Sequence, residues 1–133
     1  MKKKFKDMKG VIAIATTPFN NENTIDFESV DSLSEYYLES KVSGVTILGV
    51  MGEAHKLNIE EQKLLIKRYI GKLINSVPVI VGVSSPGLDN LELLSKFSMD
   101  TGASGVMISG YNGLKNDDQI KNYFNQVIDR TQD

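Results

Sequence analysis

Ser43-Gly44-Val45-Thr46-Ile47-Leu48-Gly49-Val50-Met51-Gly52-Glu53 decides how the chain is read. The run Val45 to Leu48 is short, rich in β-branched residues and nearly continuous in apolar character, and it leaves through a glycine-bounded turn. Such a run suits a strand covered on both faces, as in a parallel sheet, because a strand with one wet face alternates polar and apolar residues. Three further runs have the same character: Val11 to Ala15, Val77 to Val83 and Val106 to Ile108. Between and after them the apolar period becomes helical. Phe27, Val30, Leu33, Tyr37 and Leu38 form one stripe, and Leu65, Ile66, Tyr69, Ile70 and Leu73 a second. Leu91, Leu94 and Phe97 form a third, and Ile120, Tyr123, Phe124, Val127 and Ile128 a fourth. The predicted order is β-α-β-α-β-α-β-α, an α/β chain.

Helix boundaries support that order. Asn58 stands three residues before Glu61, and Asn116 three before Gln119, each an Asn form of the capping box. Ser85-Pro86 predicts an N-cap followed by proline at the first helical position. Gly102 fits a left-handed C-cap leading into the fourth run. Ser43 to Gly49 is echoed by Ser104-Gly105-Val106-Met107-Ile108-Ser109-Gly110, 61 residues on. The echo reads either as a repeated (βα)2 unit or as the common look of buried strands entered through glycine. With no linker-like composition shift, residues 1–133 are expected to form a single domain. Order alone leaves a barrel and an open sheet both available.

Composition narrows the function classes. The chain has 133 residues, 15 Lys+Arg against 17 Asp+Glu and a net charge of -2, which argues against a nucleic-acid binder. Its lack of cysteine removes disulfides, thiolate chemistry and Cys-based zinc sites. The five lysines of Met1 to Gly10 precede an apolar run too short for a signal peptide, and no stretch reaches the length of a membrane span. A cytoplasmic protein is expected. A full (β/α)8 barrel takes about 250 residues, more than are present.

Ligands of parallel α/β folds gather where strands end at their C-terminal side. The segments there are Thr16 to Phe19, Gly49 to Glu53, Gly82 to Ser85 and Ser109 to Asn112. Gly49-Val50-Met51-Gly52 can bring backbone N–H groups close to a small anion such as a carboxylate; spacing alone favours an ordinary tight turn. It matches neither a Walker loop nor G-x-G-x-x-G, so no nucleotide site is expected. His55, the single histidine, lacks the companions of a metal site, and no metal is expected. Glu53 is either a general base or an anchor for backbone N–H groups. Tyr111 either relays a proton or packs, and Asp117-Asp118 complements the start of the fourth helix. No lysine lies within an apolar strand, where burial can depress its pKa for Schiff-base chemistry.

Several ordered motifs now join into a resemblance. Gly10-Val11-Ile12 through Thr17-Pro18-Phe19, Ile25-Asp26, Gly44-Val45 running into Gly49-x-x-Gly52-Glu53, Leu57 and Glu60-Glu61 resemble the N-terminal half of the dihydrodipicolinate synthase/N-acetylneuraminate lyase family. Val77 to Val83 and Gly102 to Val106 continue it in order. The resemblance implies (βα)4, half of a TIM barrel, from an oligomeric family. Members join a lysine to pyruvate or a related 2-oxo acid as a Schiff base, then make or break a carbon–carbon bond or dehydrate a sugar acid. It implies that the backbone of Gly49, Val50, Met51 and Gly52 receives the substrate carboxylate, that Thr17 lines the site, and that no cofactor is needed. Tyr111-Asn112 aligns with a segment whose tyrosine joins a proton relay across subunits, although Ser109-Gly110 replaces the usual Pro-Tyr.

Two departures shape the expected function. The middle residues of the turn carry hydroxyls in the two dominant activities of the family, whereas here they are Val50 and Met51. A divergent lyase or dehydratase is therefore expected. The family's proton-shuttling tyrosine and Schiff-base lysine follow the fourth helix, so strands five to eight and both residues are expected to be absent. The chain is expected to be inactive alone, as a fragment or as one piece of a split enzyme completed by a C-terminal half. The alternative is a half-barrel that self-associates or binds a small anion without catalysis. An open flavodoxin-like sheet is a further alternative, disfavoured by four strands instead of five.

Overall fold

The computed structural model describes residues 8–132. The chain runs β1 (Ile12–Ile14), α1 (Phe27–Glu39), β2 (Gly44–Ile47), a single 3-10 turn (Ala54–Lys56), α2 (Ile59–Leu73), β3 (Val79–Gly82), α3 (Leu88–Thr101), β4 (Gly105–Met107) and α4 (Asp117–Thr131). The four strands form one parallel sheet in the order β1-β2-β3-β4. Each successive strand is reached through a helix, as parallel pairing requires. The α/β alternation expected from the apolar runs is present throughout.

The ladder register separates two faces. Ala13 pairs with Val45, Val45 with Val79, Ile47 with Val81, and Val81 with Val106. Residues opposite one another share a face, and this row joins Val30, Leu65, Ile66, Tyr69, Leu73 and Leu91 in the core. The other face carries Ile14, Thr46, Ile80 and Gly105 in one row, and Gly82 and Met107 in the next. Every residue of β2 and β3 is buried, as expected for strands covered on both sides. That expectation fails at β1 and β4, where Ile12, Ile14 and Met107 are exposed. Among the described residues each of these strands has one neighbour, so its side chains are sheltered from one flank only.

Helix ends follow local chemistry, with two corrections. The Asn58 side chain accepts from Glu61 N–H at 2.9 Å while Glu61 accepts from Asn58 N–H at 2.8 Å, closing the expected capping box. Asn116 accepts from Gln119 N–H at 3.0 Å, but Gln119 reaches back to Lys115 N–H at 2.7 Å, one residue outside the expected box. The proposed cap at Ser85-Pro86 is displaced more. α3 begins at Leu88 with Gly87 as N-cap, and Ser85 Oγ accepts from Gly87 N–H at 3.3 Å in a local turn. Tyr123 from α4 donates to the Ser85 carbonyl at 3.0 Å, holding that residue in the loop. Gly102 takes φ 119° as the expected C-cap, a conformation that L side chains rarely adopt.

Asp31 ties α1 to α2. It accepts from Arg68 at 2.6 and 2.7 Å and meets Lys72 Nζ at 3.0 Å. The Arg68 hydrogen bonds come first among the causes that hold its carboxyl below the ordinary 3.8. A depressed folded pKa stabilises above the unfolded value and loses that contribution as pH falls through the folded value. Asp31→Asn is therefore expected to lower Tm at pH 7, with the difference closing below about pH 3.8, as thermal denaturation of both proteins across that range can measure.

Candidate functional site

The site is built where β2 ends. Leu48, buried, takes φ 55° and turns the chain sharply out of the sheet. Gly52 N–H then donates to Gly49 O at 3.0 Å and Glu53 N–H to Val50 O at 3.1 Å, closing a tight turn. These bonds occupy two of the turn's donors. Among the described residues, the N–H groups of Val50 and Met51 have no acceptor. Their side chains point away from the core, Val50 being 89% and Met51 59% exposed. The turn therefore presents main-chain donors without acceptors among the described residues, the Gly49 N–H included, and no hydroxyl, a set that suits a small anion.

Neighbouring elements hold the turn in place. Buried Thr17, just beyond β1, donates its hydroxyl to Gly52 O at 2.6 Å. Tyr69 of α2, fully buried, donates to Thr16 O at 3.0 Å. Burial raises the Tyr69 pKa, so the phenol stays a donor at any ordinary pH. A Cβ on Gly82 would collide with the Leu48 carbonyl, which lies against β3 with no side chain between them. Gly52 is likewise crowded by Leu48 and the Ala15 carbonyl, at 3.0 to 3.3 Å from where a Cβ would stand. Gly49 differs. A Cβ there would make ordinary contacts with Met107 at 3.6 Å and Ile14 at 3.7 Å, which places it beside residues of β4 and β1.

The other residues singled out from the sequence lie apart from this turn. The Tyr111 ring packs edge-on against Tyr123, with centroids 5.3 Å apart, and closes over Gly113. No hydrogen bond joins Tyr111 to the turn among the described residues. Glu53 pairs with Lys56 at 3.2 Å and makes no capping bond, so the anchoring role weighed for it is not seen. His55 is exposed on the 3-10 turn, and no cluster of possible metal ligands occurs among the described residues. No described strand contains a lysine. One pair escaped the sequence reading: Ser84 Oγ, past the end of β3, accepts from Ser109 N–H at 2.9 Å and lies 3.2 Å from its hydroxyl. Only the placement of both serines immediately after apolar runs signalled it.

The model of the Dihydrodipicolinate synthetase family matches residues 7–133. The chain belongs to this family. It is 30% identical over 123 residues to the 4-hydroxy-tetrahydrodipicolinate synthase of Wigglesworthia glossinidia brevipalpis, covering 92% of this chain and 41% of that protein. The crystal structure of dihydrodipicolinate synthase from Rhodopseudomonas palustris superposes with a TM-score of 0.85 at 43% identity, over 90% of this chain and 40% of that one. A prophage protein of the dihydrodipicolinic acid synthase family from E. coli K12, solved with pyruvate, gives a TM-score of 0.84 at 26% identity, over 92% and 42%. The chain thus spans about two fifths of the length of the family members it matches. Its (βα)4 fold is the N-terminal part of their barrels, as the motifs implied. Among the described residues, no helix is long and apolar enough to cross a membrane.

Two substitutions test how the turn is held. Thr17→Val removes the bond to Gly52 O and leaves that buried carbonyl unpaired, an expected loss of about 1–3 kcal/mol in denaturant unfolding. Gly82→Ala drives a methyl into the Leu48 carbonyl, for an expected cost of about 1–3 kcal/mol and a displaced turn. The displacement is readable as amide shift changes at residues 48–53.

Proposed function

We propose that these residues are the N-terminal portion of a Schiff-base-forming lyase that acts on pyruvate or a related 2-oxo acid, and that the Gly49–Gly52 turn holds the substrate carboxylate. The observation that carries this reading is the pair of free N–H donors at Val50 and Met51, fixed at the end of β2 by Thr17 and Gly82. Oriented main-chain donors bind a carboxylate without needing side-chain hydroxyls. In this chemistry a lysine amine condenses with the substrate ketone and releases water. The resulting iminium draws electrons from the adjacent carbon, which loses a proton and can attack an aldehyde, or the reverse occurs in cleavage.

The chain's own residues cover only part of that scheme. Thr17 positions the turn, and Tyr111 is the relay candidate carried over from the resemblance. The lysine and the proton-shuttling tyrosine are supplied by strands five to eight, so the 133 residues bind without turning over. Absence of a hydroxyl at Val50 and Met51 removes the proton relay of the synthase, which favours a divergent lyase or dehydratase over lysine biosynthesis or sialic acid cleavage. The working form is a cytoplasmic, oligomeric enzyme of small molecules that uses no cofactor.

Borohydride reduction with labelled pyruvate tests the reading. No adduct is expected on this chain alone, and an adduct is expected on the complementing half when strands five to eight of a family member are supplied. Label on the 133 residues themselves, or none on a completed barrel, would contradict it.

A further inference from the structure

Two hydroxyls meet at the ligand end of the sheet without serving the Gly49–Gly52 turn. The β3–β4 ladder pairs Val81 with Val106 and Gly82 with Met107, and Val83 N–H continues it by donating to Met107 O at 3.0 Å. Two residues beyond the last pair, the same register sets Ser84 level with Ser109. There Ser84 Oγ accepts from Ser109 N–H at 2.9 Å, with the two hydroxyl oxygens 3.2 Å apart. Alternation fixes their side of the sheet. Val83 is buried and Ile108 packs against the core, so Ser84 and Ser109, both exposed, face away from the helices with Gly82 and Met107. Ser84 follows an inner strand, flanked by β2 and β4.

The pair has more hydrogen-bonding capacity than its own contact uses. A hydroxyl carries one proton and two lone pairs. Ser109 N–H occupies one lone pair, and the bond between the hydroxyls uses one proton and a second lone pair. Whichever serine donates, one proton and two lone pairs are left without a partner among the described residues. A donor and an acceptor side by side match a ligand hydroxyl, which accepts from one and donates to the other.

The turn is within reach of this pair. A Cβ on Gly82 would stand 3.2 Å from Gly49 N, so the turn starts against β3, and Ser84 follows two residues later, about 7 Å along the chain. Four bonds separate the carboxylate carbon of a 2-oxo acid from an oxygen on its fourth carbon. That span of roughly 5 Å, with a hydrogen bond of about 2.8 Å at its far end, covers the gap. We propose that Ser84 and Ser109 bind the oxygen on the fourth carbon of the substrate, so that the site selects 4-hydroxy-2-oxo acids. The inference rests on the carboxylate reading of the turn. In synthesis the pyruvate methyl carbon loses a proton and bonds to an aldehyde carbon, and the aldehyde oxygen gains a proton to become this hydroxyl; cleavage reverses each change. The free serine proton faces that oxygen as its charge grows.

Amide-resolved NMR titration of the 133-residue chain with pyruvate, 2-oxopentanoate and 4-hydroxy-2-oxopentanoate tests the assignment. The hydroxy acid is expected to bind about five- to tenfold more tightly than 2-oxopentanoate, the worth of one net hydrogen bond. It should also shift the Ser84 and Ser109 amides, which pyruvate leaves in place. Ser84→Ala is expected to abolish the preference while pyruvate and 2-oxopentanoate keep their affinities, and Ser84→Thr, which retains the hydroxyl, to restore most of it. A pair that only pins the ends of β3 and β4 together would leave the ratio of the two affinities unchanged in Ser84→Ala, and that result would overturn the proposal. So would equal affinities in the unaltered chain; if pyruvate then still shifts the Val50 and Met51 amides, the carboxylate reading stands. Val50 and Met51 amides unmoved by all three acids would overturn both.

Discussion

Everything at the candidate site depends on the Leu48 carbonyl resting against Gly82. Because β3 carries no side chain there, β2 can end in a left-handed residue pressed onto its neighbour. A left-handed non-glycine residue costs roughly 1 kcal/mol, and the close packing around it compensates. Past this exit, the N–H groups of Val50 and Met51 meet no acceptor among the described residues. Thr17 then fixes the far side of the turn from β1. The turn is thus held by β3 on one side and by the segment that follows β1 on the other.

The same sheet has two unlike faces. The helix-facing side is a closed aliphatic core built on Val45, Ile47, Val79 and Val81. On the opposite side, Ile12, Ile14 and Met107 remain open to solvent. In a closed barrel such residues fill the interior in layers. Among the described residues, β1 and β4 each have one neighbour, and these side chains lie on the face opposite the helices.

Much of this was legible in the sequence, and the failures have identifiable causes. Strand order followed from continuous Val/Ile runs, and the caps at Asn58 and Gly102 from local chemistry that tertiary contacts do not override. The Ser85 cap failed because a distant phenol, Tyr123, captures its carbonyl. Burial of β1 and β4 was overestimated because a run of apolar residues reports what a strand can bury and not how many neighbours it has. At the turn, the glycines have different grounds from the close approach to an anion that their spacing suggested. Gly52 is demanded by crowding, Gly49 has room for a side chain, and the glycine that most constrains the site, Gly82, lies on another strand. Long-range contacts of that kind leave no local signature.

The central claim is that the Val50 and Met51 amides are the carboxylate donors. Amide-resolved NMR of the uniformly labelled chain during pyruvate titration tests it most directly. A saturable downfield shift of those two amides is predicted, with the Gly52 and Glu53 amides, already bonded within the turn, moving far less. Saturable shifts confined to other residues, or Val50 and Met51 amides unmoved at concentrations that saturate a completed barrel, would contradict it.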